Sequence, residues 1–401
     1  MVDDVVMNQR KVVKQLQRRG AFVKSACFIL CESEIGENEQ RRPDSLAVAK
    51  KEFGDFAPYE GRYIFQSAVF RSTAQAGGEF PLDPFFYFKN HWVMLACAAS
   101  LMQMKNLSHI VRALRLPFIT ASILPFTFGS LIVGRVFYSR RFLTGLIAVI
   151  ATHLAANLMN DYADSKSGVD SIDPEFYGLF GGSKLIQRGV FSERFYLMLS
   201  LFFASVAVAA VVFLSITMGR IDPVIYYSII IAMSYAYSIG PLSFSYRMAG
   251  EIAIFILFGP VLVMGGYFIQ SGIFPDLRAF ALSLPFGFMI AALLFANEVP
   301  DFSDDLSVGK HNLVKLVSPE RAYLLYIAIV AAGYISILFC VNAGYMPVFA
   351  LATFLFIPLP MAAASIIKRH FRNKKMLLNS SRLTIAMNIF LNLTLIGSAF
   401  I

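Results

Sequence analysis

Cysteine and charge are both scarce in this chain. Its 401 residues include only four cysteines, at Cys27, Cys31, Cys97 and Cys340, and only 15% of the residues are charged. Cysteines scattered in this way do not form a disulfide framework, and no second Cys or His pair completes a zinc set. No Lys- and Arg-rich run interleaves with aromatic residues, so we expect no nucleic-acid binding.

Hydrophobic residues dominate the composition. They make up 57% of the chain, Phe alone contributes 39 residues, and the mean hydropathy is +0.62. A soluble domain would not normally carry this much apolar surface, so the composition predicts a multi-pass membrane protein in contact with lipid. The net charge of +9 fits this class, because basic residues collect in cytoplasmic loops and meet anionic lipid there.

Residues 1–104 differ from the rest of the chain, with charge-rich stretches and only short apolar patches. The acidic start and the missing apolar h-region predict no signal peptide. Three interpretations of this N-terminal extension stay open. It is a small accessory domain, a partly disordered extension, or an over-extended reading frame whose true start is Met102 or Met104.

Residues 105–401 form one predicted transmembrane domain. A membrane-spanning helix needs about 20 apolar residues, and runs of that length recur here between short polar loops. The predicted fold is therefore all-α, with nine transmembrane helices. The runs lie near residues 114–138, 142–162, 195–218, 223–241, 249–271, 277–299, 322–344, 346–367 and 381–401.

The distribution of Lys and Arg predicts which loops face the cytoplasm. Most of them fall before the first run and after runs two, four, six and eight, which places those segments on the cytoplasmic side. The opposite loops carry only Arg135, Arg140, Arg141, Arg220 and Arg278.

Two acid-rich clusters follow runs two and six, on this same predicted face. Carboxylates at membrane depth are costly and usually mark function rather than packing. Oxygen ligands with no Cys or His beside them suit Mg²⁺, which binds a few carboxylates together with substrate phosphate oxygens. The predicted metal ligands are Asp161, Asp164, Asp170, Asp301 and Asp305.

Helical spacing brings the members of each cluster together. Asn160 and Asp164 are four residues apart and share a helical face, and we expect Gly168 to end that helix and turn Asp170 back towards it. The second cluster repeats the spacing at Asn297, Asp301 and Asp305. We expect Pro300 to kink or restart the helix between them.

Paired carboxylate ridges of this kind suit a pyrophosphate bound through Mg²⁺. Cations on the same face that could stabilise the pyrophosphate are Arg115, Lys184, Arg188, Arg247 and Lys310. An allylic cation left behind would need a dry aromatic chamber. Aromatic candidates for its lining are Tyr235, Tyr237, Tyr246, Phe255, Tyr267 and Phe268.

At these residues the chain resembles the UbiA superfamily of intramembrane prenyltransferases, which has two Asn-x3-Asp-x3-Asp motifs after helices two and six. The first motif is matched with its last acid shifted to Asp170, as in the 1,4-dihydroxy-2-naphthoate branch, and the second is matched in full. Further matches are Arg115-Leu-Pro117, Gly181-Gly182-Ser183-Lys184, Tyr237 to Leu242, Tyr246-Arg247 and Gly309-Lys310. The chain departs from that branch at Glu298-Val-Pro300 and His311-Asn312.

The resemblance implies a fold of nine helices around a central cavity. It also implies Mg²⁺-dependent transfer of a polyprenyl group from its pyrophosphate to an aromatic acceptor. The acceptor that the resemblance favours most is 1,4-dihydroxy-2-naphthoate, in menaquinone synthesis. Alternatives are another acceptor (4-hydroxybenzoate, homogentisate or a lipid) and, from a different class, a cation-coupled transporter. The expected catalytic residues are Asp164, Lys184, Arg247, Asp301, Asp305 and Lys310. The expected substrate contacts are Arg115, Asn160, Tyr162, Arg188, Tyr237, Tyr246 and Asn297.

Overall fold

A computed structural model describes residues 108–134, 136–173, 175–238 and 240–401, and over these residues the chain is helical, without a β-strand. The predicted N-terminal extension, with Cys27, Cys31 and Cys97, lies outside the described residues. The longer helices, α1 to α9, are Thr120–Leu131, Ser139–Ser167, Glu193–Met218, Asp222–Ser238, Gly250–Ser271, Leu277–Ser307, Ala322–Asn342, Pro358–His370 and Lys374–Ser398.

Six helices within the described residues are long and apolar enough to cross a membrane. They are α2, α3, α5, α6, and α7 and α8 taken together with their preceding turns. The chain is therefore an integral membrane protein. Each of the nine predicted runs overlaps one of α1 to α9, but α1, α4 and α9 are shorter or more polar than a spanning helix requires.

The central helix of the fold is α6, which is the most buried of the six. Leu282, Phe286 and Met289 are fully buried and pack with residues of α7 and α9 in the largest hydrophobic cluster. The outer helices expose large apolar side chains such as Phe202 and Ile216. An apolar exterior around a packed helix is what a lipid environment permits.

The helices that carry the two acid clusters differ in how well they match the predictions. Helix α2 ends at Ser167, Gly168 adopts a left-handed φ of 83°, and a 3₁₀ turn at Val169–Ser171 follows. The predicted stop and reversal before Asp170 are confirmed. The predicted restart at Pro300 is wrong, because α6 runs unbroken through it. Pro300 is buried among neighbouring helices, and membrane helices tolerate proline where neighbours re-satisfy the freed backbone group.

Helix α5 contains a wider, π-helical turn at Leu257–Val261 that includes Pro260. Such turns often lie at functional sites because they re-aim the side chains around them. Here Leu257, Phe258 and Val261 all line the cavity described below. The same turn brings α5 against α6, since a Cβ on Gly259 would lie 2.7 Å from the Cα of Gly287.

Glycine also allows α1 and α5 to touch backbone to backbone. A Cβ at Gly129 would lie 2.0 Å from the carbonyl oxygen of Val263, and one at Gly266 would lie 2.3 Å from that of Phe126. Small residues permit this approach in membrane proteins, where packing replaces the hydrophobic effect as the force between helices.

We expect Gly129→Ala to destabilise the protein by about 1–3 kcal/mol, because the added methyl group meets backbone that cannot rotate away. The measurement is the thermal unfolding midpoint in detergent, which should fall by several degrees. The matched control is Gly397→Ala in α9, whose new Cβ would make an ordinary contact of 3.8 Å with Phe349. Equal midpoints for the two variants would contradict the prediction.

Candidate active site

A cavity of about 320 Å³ lies among α1, α2, α4, α5 and α6. Its lining is mainly apolar around Ala148, Phe258 and Leu293, and it is acidic around Asp164, Asp301 and Asp305. Ten of the predicted site residues line it: Arg115, Asn160, Asp164, Asp170, Lys184, Tyr237, Asn297, Asp301, Asp305 and Lys310. The structure therefore brings both acid clusters to one end of one cavity.

Asp161 lies behind this lining and is almost completely buried. Its carboxylate forms an ion pair with Arg115 and accepts a hydrogen bond of 3.3 Å from the backbone N–H of Ser183. The pair fixes Arg115, which itself lines the cavity, at its acidic end. Asp161 thus holds a cation in place for the cavity.

Lys184 and Asp170 form a second buried ion pair. The Lys184 Nζ donates to the Asp170 Oδ1 and to the Asp170 carbonyl oxygen, both at 3.0 Å. Burial, together with the neighbouring Asp164 and Asp161 carboxylates, raises the pKa of Asp170 to about 6 against the opposing effect of Lys184. Gly182 makes this approach possible, because at its φ of 73° a Cβ would lie 2.6 Å from the Asp170 carboxylate.

The glycine-rich loop at 181–184 also reaches the second acid cluster. The backbone N–H of Gly181 donates to the Asp301 Oδ2 at 2.9 Å, across 120 residues of sequence. One short loop therefore contacts Asp170 of the first cluster and Asp301 of the second. This contact fixes the separation of the two clusters.

Lys310 lies between the two acid clusters. Its Nζ is 4.0 Å from the Asp164 Oδ2 and 3.4 Å from the Asp305 Oδ1. Burial lowers the pKa of Lys310, but Asp164 and Asp305 outweigh burial and raise that pKa well above its usual value. The Tyr246 hydroxyl donates to the Asp164 Oδ1 at 3.1 Å. The lysine is therefore held as a cation at the centre of the acid clusters.

The donor chemistry fits a hard divalent cation. Asp164, Asp170, Asp301 and Asp305 offer only oxygen, and Lys310 already shows that a positive charge between the clusters is favourable. Among the described residues no three Asp, Glu, His or Cys side chains lie close enough to hold an ion by themselves. Mg²⁺ commonly binds one or two carboxylates and takes its other ligands from water and substrate phosphate.

Five predicted site residues do not line the cavity. They are Asp161, Tyr162, Arg188, Tyr246 and Arg247. Arg188 and Arg247 are exposed, and Arg247 donates to the Pro241 carbonyl at 2.8 Å. Tyr246 contacts Asp164 from outside the lining, and Tyr162 packs against a buried cluster that includes Leu158.

The aromatic lining differs from the expected one. Of the six aromatic candidates, Tyr237 lines the cavity. Phe268 packs instead in a hydrophobic cluster with Phe126, and Phe255 packs against Phe288 with the rings tilted by 57° and their centroids 4.7 Å apart. The aromatic residues in the lining are Phe118, Phe180, Tyr227, Tyr237 and Phe258.

Lys374, at the start of α9, pairs with the lining residue Asp304, and sequence reasoning missed this contact. Its Nζ donates to the Asp173 Oδ2 at 2.7 Å and to the Asp304 Oδ2 at 2.6 Å. It thereby joins the loop after α2 to the end of α6. The partners are 201 and 70 residues away, and no local spacing signals the contact.

Comparison with known proteins places these features in a family. The profile of the UbiA prenyltransferase family matches residues 122–387. The 1,4-dihydroxy-2-naphthoate octaprenyltransferase of Bacillus subtilis is 27% identical over 250 residues, covering 61% of this chain and 77% of that protein. The human UbiA prenyltransferase domain-containing protein 1 is 28% identical over 293 residues, covering 70% of this chain and 81% of that protein.

The fold agrees with this match. A UbiA homologue from Archaeoglobus fulgidus, solved bound to GPP and Mg²⁺, superposes with a TM-score of 0.53. The alignment covers 72% of this chain and 99% of that one, at 16% sequence identity. On the family match over more than half of its length, the chain belongs to the UbiA prenyltransferase family and is a prenyltransferase.

Proposed function

We propose that this protein transfers a polyprenyl group from polyprenyl pyrophosphate to 1,4-dihydroxy-2-naphthoate in a Mg²⁺-dependent reaction of menaquinone synthesis. The observation that carries the proposal is the convergence of both acid clusters, with Lys184 and Lys310, at one end of a single cavity. Acidic and basic groups in that arrangement suit a pyrophosphate held through a divalent cation.

The polar end of the cavity would bind the pyrophosphate. Asp164, Asp170, Asp301 and Asp305 would hold Mg²⁺, with Asn160 and Asn297 beside them, as the lining residues of that end. When bound, Mg²⁺ stabilises the negative charge that develops on a departing pyrophosphate. Arg115, Lys184 and Lys310 would contribute further positive charge to the same oxygens.

The apolar part of the cavity would receive the prenyl chain and the aromatic ring. Phe118, Phe258 and Leu293 line it and would exclude water from the reacting groups, and aromatic faces such as that of Tyr237 would stabilise an allylic cation. The C–O bond to the pyrophosphate breaks, and a ring carbon of the acceptor forms a new C–C bond to the prenyl group. With the naphthoate, the carboxylate on that carbon leaves as CO₂.

The choice of acceptor is supported by similarity. The Bacillus subtilis relative is named for the naphthoate reaction, at 27% identity, and the shift of the last acid of the first motif to Asp170 resembles the same branch. The sequence departs from that branch at Glu298-Val-Pro300. A 4-hydroxybenzoate, homogentisate or lipid acceptor is therefore the second candidate within the same chemistry.

We further propose that the acidic end of the cavity faces the cytoplasm. The segments that supply it are those richest in Lys and Arg, including Lys184 and Lys310. An excess of positive charge marks cytoplasmic loops. This orientation gives a charged pyrophosphate access from water, while its chain stays in the membrane.

We expect Asp164→Asn and Asp301→Asn each to reduce prenyl transfer by roughly 10² or more, because each removes a negative charge from the cation-binding end of the cavity. The measurement is product formation by protein in lipid with Mg²⁺ and a long-chain polyprenyl pyrophosphate. Asp222→Asn is the matched control, since Asp222 lies in the first turn of α4 and is not in the cavity lining. Full activity in folded, membrane-inserted variants would refute the assignment.

We expect prenylated product from 1,4-dihydroxy-2-naphthoate and none from 4-hydroxybenzoate when the two are offered in parallel. Mass spectrometry identifies the product, and pyrophosphate release is followed with and without Mg²⁺. Product from the benzoate alone, or pyrophosphate release with neither acceptor modified, would move the protein to another branch of the family. Release of pyrophosphate without Mg²⁺ would contradict the metal dependence.

A further inference from the structure

His153 is a buried histidine in the lining of the cavity, away from the acid clusters. It lies on α2, and only 8% of its surface is exposed. Its Nδ1 is 2.7 Å from the Ser122 Oγ on α1, and its ring meets the Phe258 ring of α5 edge-on at 5.9 Å. Three helices therefore fix the position and the rotation of this imidazole.

The second ring nitrogen of His153 has no partner among the described residues. The Nε2 is buried and makes no hydrogen bond, although the residue lines the cavity. An unpaired polar atom in a buried site is destabilising unless a ligand or water pairs with it. The Nε2 of His153 is held in a fixed position at the cavity wall without a partner, so it is suited to form a hydrogen bond with a polar group of a ligand.

The spacing along α2 indicates which ligand. His153, Asn157, Asn160 and Asp164 follow one helical face, all line the cavity, and the Nδ2 of Asn157 is also buried without a partner. At 1.5 Å per residue, His153 lies about 16 Å and Asn157 about 10 Å from Asp164 along the axis. A pyrophosphate at Asp164 would leave room for an aromatic ring before His153 is reached.

The prenyl chain does not explain this arrangement. A polyprenyl tail carries no hydrogen-bonding group, and it would leave the Nε2 of His153 unsatisfied. An aromatic acceptor with oxygen substituents would satisfy it. A buried polar group discriminates strongly between ligands with and without a matching hydroxyl, whereas an apolar wall discriminates weakly.

We propose that His153, oriented by Ser122, binds the acceptor hydroxyl that lies farther from the prenylated carbon, and so selects a dihydroxylated aromatic acceptor. The inference rests on the proposed function, because it requires an aromatic acceptor in this cavity. For the naphthoate, the group concerned is the 4-hydroxyl. His153 acts here in binding and specificity, and the pyrophosphate end of the cavity does not depend on it.

The test compares binding of 1,4-dihydroxy-2-naphthoate and 1-hydroxy-2-naphthoate to purified protein in lipid, with Mg²⁺ and a non-ionisable thio analogue of polyprenyl pyrophosphate present. We expect the wild-type protein to bind the dihydroxy compound more tightly, by roughly tenfold or more, because the monohydroxy compound leaves the buried Nε2 of His153 unsatisfied. His153→Phe should abolish this preference. Ser122→Ala should weaken the preference for the dihydroxy compound with little change in the volume of the cavity wall. This second variant provides the test if His153→Phe fails to fold.

The matched control is His370→Phe, at the end of α8 and outside the cavity lining, which should keep the preference. An unchanged preference in folded His153→Phe or Ser122→Ala, or equal loss of affinity for both naphthoates, would overturn the inference. It would also be overturned if the wild-type protein did not prefer the dihydroxy compound. Because binding is measured without turnover, failure of the proposed prenyl transfer is detected separately, by the product assay.

Discussion

The rest of the structure depends on the neutralisation of carboxylates buried at one end of a membrane-embedded cavity. Asp161, Asp164, Asp170 and Asp305 are each at most 6% exposed, and an uncompensated buried charge is strongly destabilising. Each is matched by a nearby cation or donor: Asp161 by Arg115, Asp170 by Lys184, and Asp164 and Asp305 by Lys310. These pairs hold the acidic end together before any metal or substrate arrives.

Charge compensation also explains how distant parts of the chain are joined. The loop at 181–184 contacts both acid clusters, and Lys374 connects the loop after α2 with α6. The backbone of His311 pairs with Tyr246 and Met248, which joins the loops after α4 and α6. The helices α2 and α6 can therefore remain ordinary apolar spans, while the connecting loops set the distance between their carboxylates.

Features that depend on residues close together in the sequence were predicted, whereas features that depend on contacts between distant residues were missed. The all-helical fold, the placing of Asp301 and Asp305 on one helix, and the stop at Gly168 follow from local patterns, and they were predicted correctly. Six of the nine predicted runs correspond to helices that are long and apolar enough to cross a membrane. The uninterrupted helix at Pro300 was not predicted, because neighbouring helices override the local effect of proline. The contacts of Lys374 and the aromatic lining were also missed, since they depend on how helices far apart in sequence pack together.

The residues suited to binding pyrophosphate and metal can be recognised in the sequence, whereas residues that would determine acceptor specificity cannot. Pyrophosphate and a divalent cation require many charged groups at a fixed spacing, and such a set leaves a clear motif in the sequence. An aromatic acceptor in an apolar chamber needs only one or two polar contacts, and these leave no motif. Apolar walls distinguish related ligands weakly, whereas a single buried hydrogen-bonding group distinguishes them strongly. The unsatisfied polar atoms of His153 and Asn157 in the cavity lining are therefore where we propose that the acceptor is selected.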